Sequence, residues 1–167
     1  MSDLVVPAIV LAAGAAATVV DLRVRRVPNV LTMSTASAGL LVAMGGWGEV
    51  TLGNALAGLA VGLAVMLPGH VLGATGAGDV KLVAAFGTLL GPVGILGAFI
   101  RMAIAGGVMA LVVAVSRGRL RDTLDGTALL VVTRGRAAAV ISDPAVNNRF
   151  PYAPAIAIGA ALMVLGW

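Results

Sequence analysis

The chain has 167 residues, of which 60% are hydrophobic and only 11% are charged, with a formal net charge of +4. Soluble domains carry about 25% charged residues, so this composition excludes a water-soluble globular domain and indicates a membrane protein. The absence of cysteine excludes disulfides, thiol catalysis and a Cys-ligated zinc site, and a single histidine argues against a His-based metal site. We expect no metal, no cofactor and no nucleic-acid partner, because the basic residues fall between apolar runs rather than along one solvated face.

Six apolar runs reach or approach the length needed to cross a bilayer core about 30 Å thick. Gly91 and Pro92 separate the fourth from the fifth, because proline fits the first turn of a helix but not its interior. The fourth run is short, so either its start lies inside the membrane or the glycine-rich stretch before it is partly helical. The sequence predicts a single-domain (1–167), all-α polytopic membrane protein with six transmembrane helices near 4–20, 30–47, 52–73, 79–90, 93–115 and 151–167.

The basic residues predict the orientation, since cytoplasmic loops carry an excess of Lys and Arg. Arg23, Lys81 and the arginines of segment 116–149 fall on one side when six helices alternate in direction, so both termini are expected on the non-cytoplasmic side. Segment 116–149 is then a cytoplasmic loop, and its spaced apolar residues favour an amphipathic helix on the membrane surface. Arg101, inside the fifth helix, is either a snorkelling side chain or a buried partner.

Two aspartates lie at the predicted cytoplasmic boundary: Asp21 ends the first helix and Asp79 begins the fourth. Ionisable residues at membrane depth are costly, which makes each a functional hypothesis. Two carboxylates close together in a poorly solvated site share a proton, so one can take a proton from water while the other donates to a peptide carbonyl. The structural alternatives are that Asp79 caps a helix N-terminus and that Arg23 or Arg25 neutralises Asp21. The loop acids, namely Asp122, Asp125 and Asp143, are expected to be solvated.

Three glycines, Gly73, Gly76 and Gly78, precede Asp79. Glycine lets the backbone bend sharply and lets another chain approach closely, so an extended substrate could lie against this stretch. A nucleotide-binding loop is disfavoured, because no G-K-[ST] follows. His70, about two turns before the glycines, is either a packed or interfacial histidine or one that reaches the site.

Three segments carry a family resemblance. Gly76–Leu82, GAGDVKL, resembles the GxGD-V-K-L signature of the type IV prepilin peptidases, which are membrane aspartic proteases. Asp21–Asn29, DLRVRRVPN, resembles the first-aspartate motif of that family. Residues 150–154, FPYAP, are similar to the proline-rich start of the family's last helix. The three motifs occur in the family's order, and the resemblance spans nearly the whole chain.

The resemblance implies that Asp21 and Asp79 are the catalytic pair. It also implies that the substrate is a prepilin or pseudopilin precursor, whose leader is cut at the cytoplasmic face of a prokaryotic inner membrane, next to the precursor's hydrophobic helix. Without the cysteines of the larger members, the chain resembles the short protease-only form, often associated with Flp-type pili, and no methyltransferase activity is expected. The candidates for substrate binding or for supporting the pair are Gly76, Gly78, Lys81, Pro28, Asn29 and Pro151.

Some alternatives stay open. Lys81 either acts electrostatically on Asp79 or anchors its loop at the lipid headgroups, and Pro28 is expected to start the second helix. A small ion- or proton-coupled transporter could use Asp21 and Asp79 as a relay, although the two halves show no matching repeat. A non-enzymatic subunit of pilus assembly would tolerate neutral replacements of both aspartates.

Overall fold

The computed structural model describes residues 4–73, 75–116 and 152–166, and within them every regular element is a helix. The helices are α1 (Val5–Val24), α2 (Asn29–Gly45), α3 (Leu52–Val71), α4 (Ala77–Ser116) and α5 (Ala153–Val164). The all-α prediction is therefore confirmed for this part of the chain. Pro151 and, apart from Ser116, the predicted cytoplasmic loop lie outside the described residues.

Three of these helical segments are long and apolar enough to cross a membrane: Val5–Val24, Leu52–Val71 and Ala77–Val113. The helices α2 and α5 are apolar but shorter, with 17 and 12 residues. At a rise of 1.5 Å per residue, α5 covers about 18 Å, which is less than a bilayer core. The six-span topology and the position of the termini therefore stay predictions.

Helix α4 is interrupted at Gly91, whose backbone angles of φ 68° and ψ 179° are not helical. We call residues 77–90 α4a and residues 92–116 α4b. The break falls at the predicted boundary between the fourth and fifth runs, and glycine adopts the positive φ there without a Cβ clash. Because α4a begins at Ala77, the last part of the glycine-rich stretch is helical, which was one of the two options left open for this short run.

The ends of α1 and the start of α2 differ slightly from the predicted boundaries. Helix α1 continues to Val24, so Asp21 lies within its last turn. Arg25 ends the helix in the left-handed conformation (φ 53°), and its N–H donates to Asp21 O at 2.7 Å. Pro28 precedes the first residue of α2, and its carbonyl accepts hydrogen bonds from Leu31 and Thr32. The prediction that Pro28 starts the second helix is confirmed.

Glycines bring α3 and α4a into backbone contact. Gly58 of α3 packs directly on the backbone of Gly87, and one turn along, a Cβ on Gly62 would lie 2.9 Å from Ala84 Cα. Lipid tails offer helices no hydrophobic driving force to associate, so small residues that permit close backbone packing provide much of the attraction. This packing fixes α4a at the centre of the fold, where Phe86 is fully buried.

Helix α5 packs against both α1 and α4b. A Cβ on Gly14 of α1 would lie 3.1 Å from Ala157 Cβ, and a Cβ on Gly159 would lie 2.6 Å from Met102 N. Arg101 of α4b is half-buried and donates to Gly97 O at 3.1 Å and to Met163 Sδ at 3.5 Å. Arg101 therefore has partners within the fold, and the snorkelling interpretation, which depends on the position of the membrane, stays a prediction.

Candidate functional site

Asp21 is a buried carboxylate held by the start of another helix. Its side chain is 6% exposed, and its Oδ2 accepts the backbone N–H of Ala153 at 3.2 Å. Ala153 is the first residue of α5, and the N-terminus of a helix carries partial positive charge and unpaired N–H groups. The last turn of α1 and the first turn of α5 are thus joined at this carboxylate, across 132 residues of sequence.

Asp79 is the third residue of α4 and is half-buried. Its Oδ2 accepts the N–H of Gly76 at 3.2 Å, while Gly76 O accepts the N–H of Asp79 at 3.1 Å. This side chain therefore reaches back to the residue before the helix, as the acid of a capping box does. Asp79 does not occupy the cap position itself, which corrects the structural alternative drawn from the sequence.

Two contacts join the segment that follows Asp21 to the segment that contains Asp79. A Cβ on Gly78 would lie 3.1 Å from both Cβ and O of Val27, so Gly78 packs directly against Val27. Lys81 Nζ donates to Asn29 Oδ1 at 2.9 Å. The first two motifs are therefore in contact.

The three glycines before Asp79 have different surroundings. The space that a side chain would need at Gly78 is filled by this chain's own Val27, so the contact there is within the chain. At Gly76, a Cβ would lie 3.0 Å from Asp79 Oδ2 and would crowd the carboxylate. Gly73 adopts φ 74° in the turn after α3, a conformation that glycine accepts readily.

His70 contacts the loop that leads into the Asp79 segment. Its Nδ1 lies 3.0 Å from Thr75 O, and the N–H of Thr75 donates to Gly69 O at 3.2 Å. His70 itself is exposed at the end of α3. These contacts tie the loop to α3, so His70 is placed to hold the loop just before Gly76.

Sequence reasoning did not find Ala153 or Val27. Ala153 contributes a backbone N–H, which any residue except proline offers, so its side chain gives no signal. The only hint was the position of the third motif, which begins just before α5 and contains Ala153. Val27 lies inside the first motif, but its contact with Gly78 arises only when the chain folds.

The chemistry available at this site is proton transfer. Both carboxylates are held through Oδ2 by backbone N–H groups, which fixes their orientation. A positioned carboxyl pair can remove a proton from water and protonate a carbonyl oxygen. Within residues 4–73, 75–116 and 152–166, no group of three or more His, Cys, Asp or Glu could hold a metal ion.

The chain matches the model of a known protein family. The model of the type IV leader peptidase family matches residues 8–111, more than half of the chain, and this range includes Asp21, Asp79 and the residues that join their segments. No curated protein and no solved structure matches. The third motif and α5 lie beyond the matched range.

Proposed function

Because the chain belongs to the type IV leader peptidase family, we propose that it is a membrane aspartic endopeptidase that removes the N-terminal leader of type IV pilin-like precursors. A leader-peptidase-like protease in a membrane is what the family and the apolar helices indicate. One observation carries the aspartic mechanism: the segments that contain Asp21 and Asp79 pack on each other through Gly78 and Val27.

In the proposed reaction Asp21 and Asp79 share one proton. The ionised carboxylate takes a proton from water, the water oxygen bonds to the carbonyl carbon of the scissile peptide, and the protonated partner donates to the carbonyl oxygen. The tetrahedral intermediate then collapses, the C–N bond breaks, and the leaving nitrogen takes a proton from the pair. The products are a carboxylate on the leader and an amine on the mature pilin, with one water consumed.

The finer features of the proposal follow from the sequence. Basic residues after α1 favour a site on the cytoplasmic side of a prokaryotic inner membrane, with six spans and both termini on the other side. The substrate class includes prepilins and pseudopilins, with Flp-type precursors as a specific candidate. We further propose that these 167 residues, which contain no cysteine, support cleavage without methylation of the new N-terminus.

Co-expression with a pilin precursor tests the proposal. Asp21→Asn and Asp79→Asn should each abolish the size shift of the precursor, because an amide cannot exchange the catalytic proton. Glu49→Gln is the matched control, since Glu49 is an exposed acid in the turn between α2 and α3. Cleavage retained in either aspartate variant would contradict the mechanism, and it would favour a non-catalytic role in pilus assembly or a proton relay.

A further inference from the structure

An apolar groove of about 300 Å³ lies between α1 and α5. Its floor is the contact of Gly14 with Ala157, where the two helices come close enough that a Cβ on Gly14 would lie 3.1 Å from Ala157 Cβ. Its rims are Leu11, 41% exposed, and Ile158, 43% exposed. Small residues on the floor and large residues on the rims make a concave surface that a third helix can enter.

One end of the groove reaches the Asp21 site. Thr18 lines the groove one turn before Asp21 on α1, and Pro154 lines it immediately after Ala153, whose N–H binds the Asp21 carboxylate. The groove-lining part of α1, residues 10–18, extends about 12 Å along the helix axis, which matches about two turns of a docked helix. The apolar groove therefore ends next to the residues that form the acidic site.

We propose that this groove binds the first turns of the precursor's hydrophobic helix, an inference that rests on the proposed function. A precursor cut next to its hydrophobic helix must place that helix in the bilayer with one end at the aspartates. The α1–α5 groove meets this requirement, because its lining is almost entirely apolar and its Thr18 end lies one turn of α1 from Asp21. A lipid chain or a second copy of this protein could occupy the groove without reaching the aspartates, so neither accounts for the position of the groove beside Asp21.

Disulfide cross-linking tests the site directly, because the chain has no cysteine of its own. Ala15 and Ala16 are neighbouring exposed alanines of α1, and only Ala15 lines the groove. Each is changed to cysteine in the Asp79→Asn background, and the probe is a type IV pilin precursor with one cysteine in the second turn of its hydrophobic helix. We expect Ala15→Cys to give at least about ten times more adduct than Ala16→Cys.

Other outcomes overturn the inference. Equal adducts at both positions would mean contact without a specific site. No adduct at Ala15→Cys would mean that lipid or another part of this chain covers the groove, and a homodimer through Ala15→Cys would mean that a second copy does. Cleavage by Asp79→Asn would contradict the aspartic mechanism but leave the cross-link result unaffected, so the two failures are distinguishable.

A kinetic measurement complements the cross-link. In the active chain, Ala15→Phe should fill the groove and raise KM for the precursor about tenfold, while kcat stays within about twofold. Ala16→Phe adds the same bulk outside the groove and should leave both values within about twofold. A fall in kcat alone for Ala15→Phe, or equal effects at the two positions, would contradict the proposal.

Discussion

Lys81 donates a hydrogen bond to Asn29 Oδ1 at 2.9 Å, and the two residues are 52 positions apart in the sequence. Lys81 follows Asp79 by two residues in the first turns of α4, and Asn29 is the first residue of α2, shortly after Asp21. The bond therefore bridges the two segments that carry the aspartates. The sequence left two roles open for Lys81, an electrostatic effect on Asp79 and an anchor at the lipid headgroups. Neither role has Asn29 as the partner of the Lys81 ammonium.

The first prediction concerns this bridge. Lys81→Met and Asn29→Leu should each lower the cleavage rate about fivefold to tenfold, because losing the bond lets the two segments shift and catalytic geometry tolerates little displacement. The double variant should lose no more than either single variant, since both remove the same bond. Lys81→Arg keeps a donor and is the control.

Precursor cleavage and thermal unfolding of each variant provide the measurement. If Lys81 only anchors the loop at the headgroups, Asn29→Leu will keep the full rate while Lys81→Met will not. Additive losses in the double variant would also contradict a direct bond as the reason for the effect.

A second prediction follows from the contact of Gly78 with Val27. Gly78→Ala would place a methyl group 3.1 Å from Val27, closer than most Cβ contacts, so the Val27 segment would have to move by a few tenths of an ångström. We expect both a lower melting temperature in detergent, from a loss of about 1–3 kcal/mol, and lower activity. Gly107→Ala in α4b is the control, because nothing lies within 4 Å of a Cβ there. Lost activity with an unchanged melting temperature would instead point to crowding of the substrate.

The third prediction separates the structural role of Asp21 from its chemical role. In Asp21→Asn, the amide oxygen can still accept the N–H of Ala153, so the folded state should keep its stability. Asp21→Ala leaves the N–H of Ala153 without this partner. Because Ala153 is fully buried, the loss costs about 1–3 kcal/mol in unfolding free energy. Thermal unfolding in detergent compares the two variants, both of which should be inactive. Equal destabilisation would show that charge, and not hydrogen bonding, holds α5 at this site.

A fourth prediction concerns the packing of α3 on α4a. Gly87→Ala would put a Cβ into the backbone of Gly58, where neither helix has a flexible side chain to move aside. We expect a loss of at least about 2 kcal/mol in unfolding free energy. Gly53→Ala in α3 has open space around its Cβ and is the matched control. A neutral Gly87→Ala would contradict the close approach of the two helices.

The fifth prediction tests the orientation in the membrane. Cysteine placed at Arg23 should react with a membrane-impermeant thiol reagent only from the cytoplasmic side, and cysteine at Glu49 only from the opposite side. The positive-inside rule gives this direction, because the basic residues follow α1 and the turn around Glu49 has none. Reversed labelling would overturn the topology, and labelling of both from one side would contradict the alternating spans.

Local patterns in the sequence predicted much of the fold. Apolar runs indicated the helices, and Pro28 marked the start of α2, because a fixed φ and a missing N–H suit that position. Gly91 and Pro92 marked the break in α4 for a similar local reason. The short motifs around Asp21 and Asp79 pointed to the family, which the family comparison then supported.

The contacts that build the candidate site were decided by the tertiary structure. Asp21 is held by the N–H of Ala153, 132 residues away, and every residue except proline could supply such a group. The space beside Gly78 is occupied by Val27, because the path of the chain after α1 brings that residue alongside α4. The sequence alone determined which residues are acidic, apolar or small. Distances between segments far apart in the chain follow from how the helices pack, which no local pattern records.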